Sequence, residues 1–410
     1  MRGPLAGELW AAVFLAALAG AGWWAHSVLL AASGTLGVAS VSLLWVWQRE
    51  CLTNVSYRRT LSHDRAMFGE EITLGIEVVN DKVLPLPWLH IEDGVPHALS
   101  LRGGTIDADA SRRGPVLHLL VPMLPFARAR RRLVITCDRR GAFTFGPALL
   151  ESGDPIGYAR RFAKREGTDR LLVYPKVFHL EPPRIASRVV LGDERSRATL
   201  VGDPSRVAGV REYRQGDPLR HIDWRATARS SGLLVRVHEP TTSLRAAVFA
   251  DLRVPRARGL APPDLDEFTV AVTASVVSDL ATRDVSVGLF ATGSVDGQYV
   301  ACPPSASPSA LADMLERLAR MSAFGKATLA ELVSAEAGRL RAGTSVVVIA
   351  AHFPEPTVAA IGDLRRRLPV TGLWVGNNAG APPPAGTVDA REEVAYVEDW
   401  KQRATVELVG

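Results

Sequence analysis

The sequence predicts a multidomain membrane protein: an N-terminal transmembrane helical hairpin, an antiparallel β-sandwich, then an α/β domain with a mostly parallel sheet. Three observations carry this. Two charge-free apolar runs stand within the first 48 residues. Short alternating segments broken by Pro, Gly and Asn come next, and from Arg245 onward apolar strands alternate with helix-length stretches. The expected boundaries are 5–48 for the hairpin, 55–180 for the sandwich, 181–244 for a connector and 245–410 for the α/β domain.

Leu9–Ala25 and Ser27–Trp47 contain no charge. A spanning helix needs about 20 apolar residues. The second run meets that alone, and the first does so if it starts near Leu5 with Glu8 at the interface. Trp10, Trp23, Trp24, Trp45 and Trp47 fall at the run edges, where amphipathic indoles settle among headgroups. A tight turn is expected around His26. Arg2 precedes the first run, and Arg49, Arg58 and Arg59 follow the second, with no cation between. The positive-inside rule then places both ends and the soluble remainder in the cytoplasm, on a two-span anchor in the cell membrane. A cleaved signal peptide is the rival reading, and the second, longer run argues against it.

The rest of the chain has the means to fold. Its 410 residues suggest two or three domains, and 47% apolar content excludes overall disorder. A mean hydropathy of +0.08 is too low for a polytopic transporter. The net charge of +5 is dominated by arginine, since lysine occurs only at 82, 164, 176, 326 and 401. Such a bias fits codon usage better than a phosphate-binding surface, and no nucleic-acid partner is expected. Cys51, Cys137 and Cys302 show no CxxC or metal-ligand spacing.

Between Tyr57 and Tyr174, Glu70–Asn80 and Val83–Asp93 alternate at the period of strands, and several shorter runs follow. In the α/β domain the expected core strands are Ala246–Leu252, Val285–Thr292 and Ser345–Ala351, with Val370–Gly376 behind them and Gly297–Cys302 as a hairpin partner. Helices are expected over Leu265–Leu280, Ser309–Met321 and Leu329–Leu340. Sites in such sheets form at the carboxyl ends of strands, here Asp251, Thr292 and His352.

The connector is the most unusual stretch. From Val207 to Thr241, charges of both signs interleave: Arg211, Glu212, Arg214, Asp217, Arg220, Asp223, Arg225 and Arg229, with Tyr213 and Trp224 among them. Three readings compete. The first is an internal network of Arg–carboxylate pairs and guanidinium–indole stacking that clamps the two soluble domains. The second is a docking surface for a partner. The third is enzymatic use of His221 and Asp223, a hydrolase or transferase without an accompanying activated Ser or Cys.

The run R-E-Y-R-x-G-D-x-x-R-x-I-D-W-R-A-T-A-R, from Arg211 to Arg229, resembles the signature of a bacterial family known as domain of unknown function fifty-eight. Arg139–Gly157 is similar to that family's R-G-x-(F/Y)-x-x-G-P…D-P-x-G segment. The resemblance implies a C-terminal domain of von Willebrand factor A type, Rossmann-like in its mostly parallel sheet. It singles out Arg211, Tyr213, Arg214, Gly216, Asp217, Arg220, Asp223, Trp224 and Arg229. It also implies a MoxR-type AAA+ ATPase as partner, with an adaptor or scaffold role in assembling or maturing envelope proteins for an unidentified client.

A metal-dependent A domain carries D-x-S-x-S after its first strand, with a Thr and an Asp from later loops. This chain has Asp251-Leu252-Arg253-Val254-Pro255 there, so Arg253 and Pro255 replace the two serines. Thr292 could match the threonine. The expectation is a degenerate pocket of Asp251, Arg253 and Thr292 with no metal, Arg253 placing its cation beside Asp251, and no cofactor.

Other chemistry finds no motif. GxxxxGK(S/T), GxSxG, HExxH and GxGxxG do not occur. The nine histidines are dispersed, with none paired at metal-ligand spacing. Asp264 and Asp266 read as helix N-terminal charge, and Arg128 with Arg130–Arg132 as a solvated strand edge. The function expected is a membrane-anchored, non-enzymatic adaptor or scaffold.

Overall fold

The computed structural model describes residues 5–103, 105–107, 115–155, 160–182, 185, 207–213, 222–229, 232–238, 244–253, 262, 264–322, 325–376 and 382–409. The chain divides into two compact units, Met1–Val173 and Tyr174–Gly410.

The first unit opens with α1 (Leu5–Trp24) and α2 (Val28–Glu50). His26 makes the turn between them in the left-handed region, φ 51°. The two helices touch through small residues. A Cβ on Gly34 would fall on the backbone of Ala19, one on Gly22 would meet Ala31, and one on Gly37 would lie 2.7 Å from Leu15. Small residues let two helix backbones approach closely. Outward, Trp10, Phe14, Trp23, Trp24, Leu29 and Leu36 are exposed. Val28–Glu50 is long and apolar enough to cross a membrane; in α1 the described apolar stretch, Trp10–Trp24, is shorter than that.

Among the described residues twelve strands follow: β1 (Val55–Leu61), β2 (Arg65–Ala66), β3 (Glu71–Asn80), β4 (Leu89–Gly94), β5 (Ser100–Arg102) and β6 (Thr105–Asp107). Then come β7 (Val116–Leu120), β8 (Arg128–Thr136), β9 (Gly141–Phe145), β10 (Ala148–Gly153), β11 (Arg160–Arg165) and β12 (Asp169–Val173). They form a four-stranded sheet ordered β1-β3-β8-β5, a five-stranded sheet ordered β11-β10-β4-β7-β6, and a small sheet β2-β12-β9. The two larger sheets are antiparallel throughout. Alternation decides which side faces in: Ile72, Leu74, Ile76 and Val78 of β3 share one core with Leu89 and Ile91 of β4 and Leu133 and Ile135 of β8.

The second unit contains β13 (His179–Glu181), β14 (Val207–Glu212), α3 (Trp224–Thr227), β15 (Leu234–His238), β16 (Arg245–Asp251), α4 (Leu265–Thr282), β17 (Ser286–Val295) and β18 (Gln298–Ser305). It continues with α5 (Pro308–Arg320), α6 (Leu329–Ala337), β19 (Ser345–Ala350), α7 (Glu355–Arg365), β20 (Val370–Val375), β21 (Ala390–Val394) and β22 (Thr405–Val409). The main sheet has eight strands in the order β13-β22-β21-β20-β19-β16-β17-β18. It is mixed. The five strands from β21 to β17 run parallel. β18 is antiparallel at one edge, β22 is antiparallel to β21, and β13 runs parallel to β22 at the other edge.

Both faces of this sheet are covered. Ala246, Val248 and Ala250 of β16 pack with Phe268, Val272 and Val276 of α4 and Leu318 of α5. Ala247 and Phe249 pack on the other side with Leu329 and Leu332 of α6 and Ile361 of α7. A strand apolar on both sides is what a doubly covered parallel sheet requires. β14 and β15 form a separate two-stranded ribbon.

Candidate functional site

β16 and β17 run parallel and bring Asp251 and Thr292 together at their carboxyl ends. Both side chains are buried, Asp251 at 5% exposure and Thr292 at 0%. The Thr292 hydroxyl donates to Asp251 Oδ1 at 2.8 Å and accepts from the Leu252 backbone N–H at 3.1 Å. Arg253 closes the pocket. Its backbone N–H donates to Asp251 Oδ1 at 3.1 Å, its Nε to the same oxygen at 3.2 Å, and its Nη2 to Oδ2 at 3.3 Å. Both carboxylate oxygens therefore already receive donors, one of them a full positive charge.

The residues present do not fit the hard divalent cation that a metal-dependent A domain holds. That ion wants six oxygen ligands in an octahedron. Among the described residues one carboxylate and one hydroxyl converge here, and a guanidinium stands against the carboxylate.

Beside Thr292 lies a cleft of about 560 Å³. Tyr299 from β18, Arg317 from α5, and Glu336 and Arg339 at the end of α6 line it, with Lys326. Gly325 sits so close to the Thr292 carbonyl that a Cβ would overlap it. A capping box then starts α6: the Glu331 backbone N–H donates to Thr328 Oγ1 at 3.1 Å, and the Thr328 N–H to Glu331 Oε2 at 2.8 Å. Glu336 is buried, accepting from Arg339 at 2.8 Å and from the Tyr299 hydroxyl at 3.1 Å. That hydrogen bond to a carboxylate pushes the Tyr299 phenol up from its ordinary value. Arg317, Lys326 and Arg339 are exposed. With one acid against three bases, the cleft suits an acidic ligand.

In the connector the described signature residues gather around the ribbon. The Tyr213 N–H donates to the Leu233 carbonyl at 2.8 Å, and Arg211 Nη1 to the Glu212 carbonyl at 3.0 Å. Asp223 caps α3, accepting from the Arg225 and Ala226 backbone N–H groups at 3.0 and 3.1 Å. Trp224 is 67% exposed, and Arg211 and Arg229 are exposed as well. Arg214, Gly216, Asp217, Arg220 and His221 lie outside the described residues.

Two expectations need correction and one is extended. Asp264 stands at the N-cap position of α4 and Asp266 in its first turn, helix N-terminal charge as expected, but the Asp264 side chain does not bond the helix N–H groups. It accepts instead from the Tyr396 hydroxyl at 2.6 Å and Trp400 Nε1 at 3.3 Å, and pairs with Lys401 at 3.2 Å. Burial raises its pKa, but the Tyr396 and Lys401 hydrogen bonds outweigh that and hold it below the usual carboxylate value. Arg59 is no juxtamembrane cation. It is buried, paired with Asp93 and with Asp169 at 2.8 Å, and donates to the Phe145 and Gly167 carbonyls at 3.0 and 2.9 Å. The histidines are not all isolated, because adjacent strands bring His90 and His118 into contact at 3.1 Å.

Residues 209–399 match the family described as "Protein of unknown function DUF58", so a domain of that family spans this part of the chain. The chain is also similar to "Uncharacterized protein YeaD" of Bacillus subtilis (strain 168), 26% identical over 250 residues. That similarity covers 58% of this chain and 56% of that protein, so the chain spans about half the length of the curated relative it matches. Among solved structures, a cohesin module from a Clostridium perfringens ATCC13124 family 33 glycoside hydrolase is 13% identical. It covers 30% of this chain and 97% of that one, with a TM-score of 0.22. A non-cellulosomal cohesin from the archaeon Archaeoglobus fulgidus is 8% identical, covering 29% and 91%, with a TM-score of 0.20.

Proposed function

We propose that this protein is a membrane-anchored, non-enzymatic adaptor whose α/β unit offers the carboxyl edge of its sheet to a protein partner. The observation that carries the reading is the closed Asp251–Arg253–Thr292 pocket beside the basic cleft. A site that uses its own arginine where a metal would sit has no open coordination position to present. What remains for recognition is shape and charge, and Arg317, Lys326 and Arg339 favour an acidic segment. The exposure of Trp224, Arg211 and Arg229 favours a docking role for the signature over an internal clamp, because aromatic and arginine side chains dominate interface anchors. Asp223 is engaged as a helix cap, which speaks against its use as a general base.

The unit is read as a von Willebrand factor A-like domain that has lost its metal. The partner we favour is a MoxR-type AAA+ ATPase, with an envelope protein as client. Both N-terminal helices are read as spans, since α1 and α2 pack through Gly22, Gly34 and Gly37 and turn their large apolar side chains outward. The flanking arginines at 2, 49 and 58 place the soluble units on the cytoplasmic side.

The test is crosslinking and affinity purification of the tagged full chain from native membranes. Wild type is compared with Arg317→Glu/Lys326→Glu, both exposed positions whose reversal leaves the core intact. Recovery of an AAA+ ATPase with wild type and its loss from the variant supports the reading. No ATPase from either, with abundant folded protein, overturns it.

A further inference from the structure

We propose that His90, His118 and Glu92 form a binding site for a zinc-class divalent ion on the solvent side of the five-stranded sheet. The site lies outside residues 209–399 and is independent of the adaptor reading.

Strand geometry builds it. In β4, Leu89, Ile91 and Asp93 are buried, so His90 and Glu92 point to the opposite face. The antiparallel registers place His118 of β7 directly across from Glu92, and Glu151 of β10 across from His90. Directly opposed side chains on one face have Cβ atoms about 4.5–5.5 Å apart, so the sheet itself collects two imidazoles and two carboxylates.

The distances follow. His90 Nε2 and His118 Nδ1 are 3.1 Å apart, with the rings stacked at 5.2 Å and 13°. One ligand atom from each of His90, Glu92 and His118 lies within 4.8 Å of the others. Two nitrogens bound to one tetrahedral zinc at the usual Zn–N length stand about 3.3 Å apart. The other nitrogen of His90, Nδ1, faces Glu151 Oε2 at 3.4 Å, and Glu151 is held by Arg160 at 3.1 Å. A carboxylate behind a ligating imidazole fixes its tautomer and raises its basicity, and metal-binding histidines nearly always have a carboxylate, a backbone carbonyl or a water there. His118 Nε2, by contrast, is buried without a hydrogen-bond partner among the described residues. It marks a ring whose polar edge is poorly served by the protein alone.

Donor chemistry selects the ion. Imidazole suits Zn²⁺, Ni²⁺ and Cu²⁺, whereas Mg²⁺ and Ca²⁺ prefer an all-oxygen shell. Three protein ligands leave a fourth position for water or for an acidic group of a partner. The cluster is half-exposed, which gives the ion an entry path.

The experiment uses the full chain in detergent, carrying a tag without histidines, stripped with chelator and dialysed. Zn²⁺ alone is titrated against a chromophoric competitor, and Co²⁺ is added separately to read its visible spectrum. We expect one equivalent bound by wild type and a nitrogen-ligated cobalt spectrum. His90→Gln and His118→Gln should each abolish saturable binding. Glu151→Gln should weaken it by about 10–100-fold, as loss of an orienting partner does. His179→Gln, on the other unit, should bind as wild type does. Zn²⁺ should also raise the Tm of wild type but not of the two histidine variants, whose circular dichroism confirms folding. Absence of a saturable site in wild type overturns the proposal, as does stoichiometric binding that survives both histidine substitutions.

Discussion

Thr292 donates its hydroxyl hydrogen to Asp251 Oδ1 across 2.8 Å, between residues 41 positions apart in the chain. The same oxygen atom of Thr292 accepts the backbone N–H of Leu252. One hydroxyl therefore ties the ends of two neighbouring parallel strands and orients the acid between them.

Thr292→Val keeps the shape and removes the hydroxyl. The Leu252 N–H is then buried without its acceptor, and Asp251 loses a donor. Leaving such a group unsatisfied costs about 1–3 kcal/mol. Urea unfolding of the full chain should show a lower midpoint with an unchanged slope.

Arg59 and Asp93 are buried together, and Arg59 also serves Asp169 and two carbonyls. Among the described residues, Arg59→Met leaves the Asp93 charge buried with only the Tyr57 hydroxyl, which donates to it at 2.6 Å. Removing one partner of a buried pair costs about 3–5 kcal/mol. Lysine cannot reproduce a guanidinium that serves four acceptors, so Arg59→Lys should remain destabilised. Thermal melting and protease resistance of residues 55–173 check this.

Asp264 contributes through its ionised form. Its folded-state pKa lies below the unfolded value of about 3.9, so folding releases a proton as pH falls into that range. Its stabilisation is complete above about pH 4 and disappears as pH drops through the lowered folded value. The gap between wild type and Asp264→Asn should be about 1.5–3 kcal/mol near neutrality, the range for hydrogen bonds to a charged group. That gap should close only in acid. Unfolding titrations of both proteins between neutral and strongly acidic pH measure it.

Gly34→Leu places a side chain on the Ala19 backbone and should force α1 and α2 apart. With the native cysteines replaced, a Leu15→Cys/Gly37→Cys pair should form a disulfide efficiently. Adding Gly34→Leu should reduce the yield severalfold in membranes, read by gel mobility.

Elements set by local pattern were legible in the sequence. The alternation of Ile72, Leu74, Ile76 and Val78 gave β3 its inward face, and the apolar run Ala246–Ala250 marked a strand covered on both sides. Helix spans at Leu265 and Leu329 were likewise readable from period. β18 was expected to stop at Cys302, yet it continues through Pro303 and Pro304 to Ser305. As an edge strand it pairs on one side only, so missing N–H groups are tolerated.

Contacts that depend on register were not legible. His90 and His118 are 28 positions apart and meet because β4 and β7 pair as they do. Arg59 sits beside the second apolar run in sequence and looks like a flank, but its place in β1 turns it toward Asp93. Asp264 is a helix-start acid, as its place in the sequence suggests, but its side-chain partners come only with the return of the chain near residue 396. Asp251 and Thr292 could be named because strand ends in a parallel sheet share an edge. One partner of Asp251, Arg253, follows two positions later in the chain, whereas Thr292 comes from the neighbouring strand.

β13 and β22 lie side by side at the rim of the main sheet, with Lys176 donating to the Lys401 carbonyl 225 positions later in the chain. During synthesis the earlier strand must therefore wait, unpaired, until β22 has left the ribosome. Neighbours so far apart in sequence are slow to meet, and an unpaired strand edge invites aggregation in the interval. A chain lacking Thr405–Val409 would thus keep β13 without its partner and be bound for proteolysis rather than slightly trimmed.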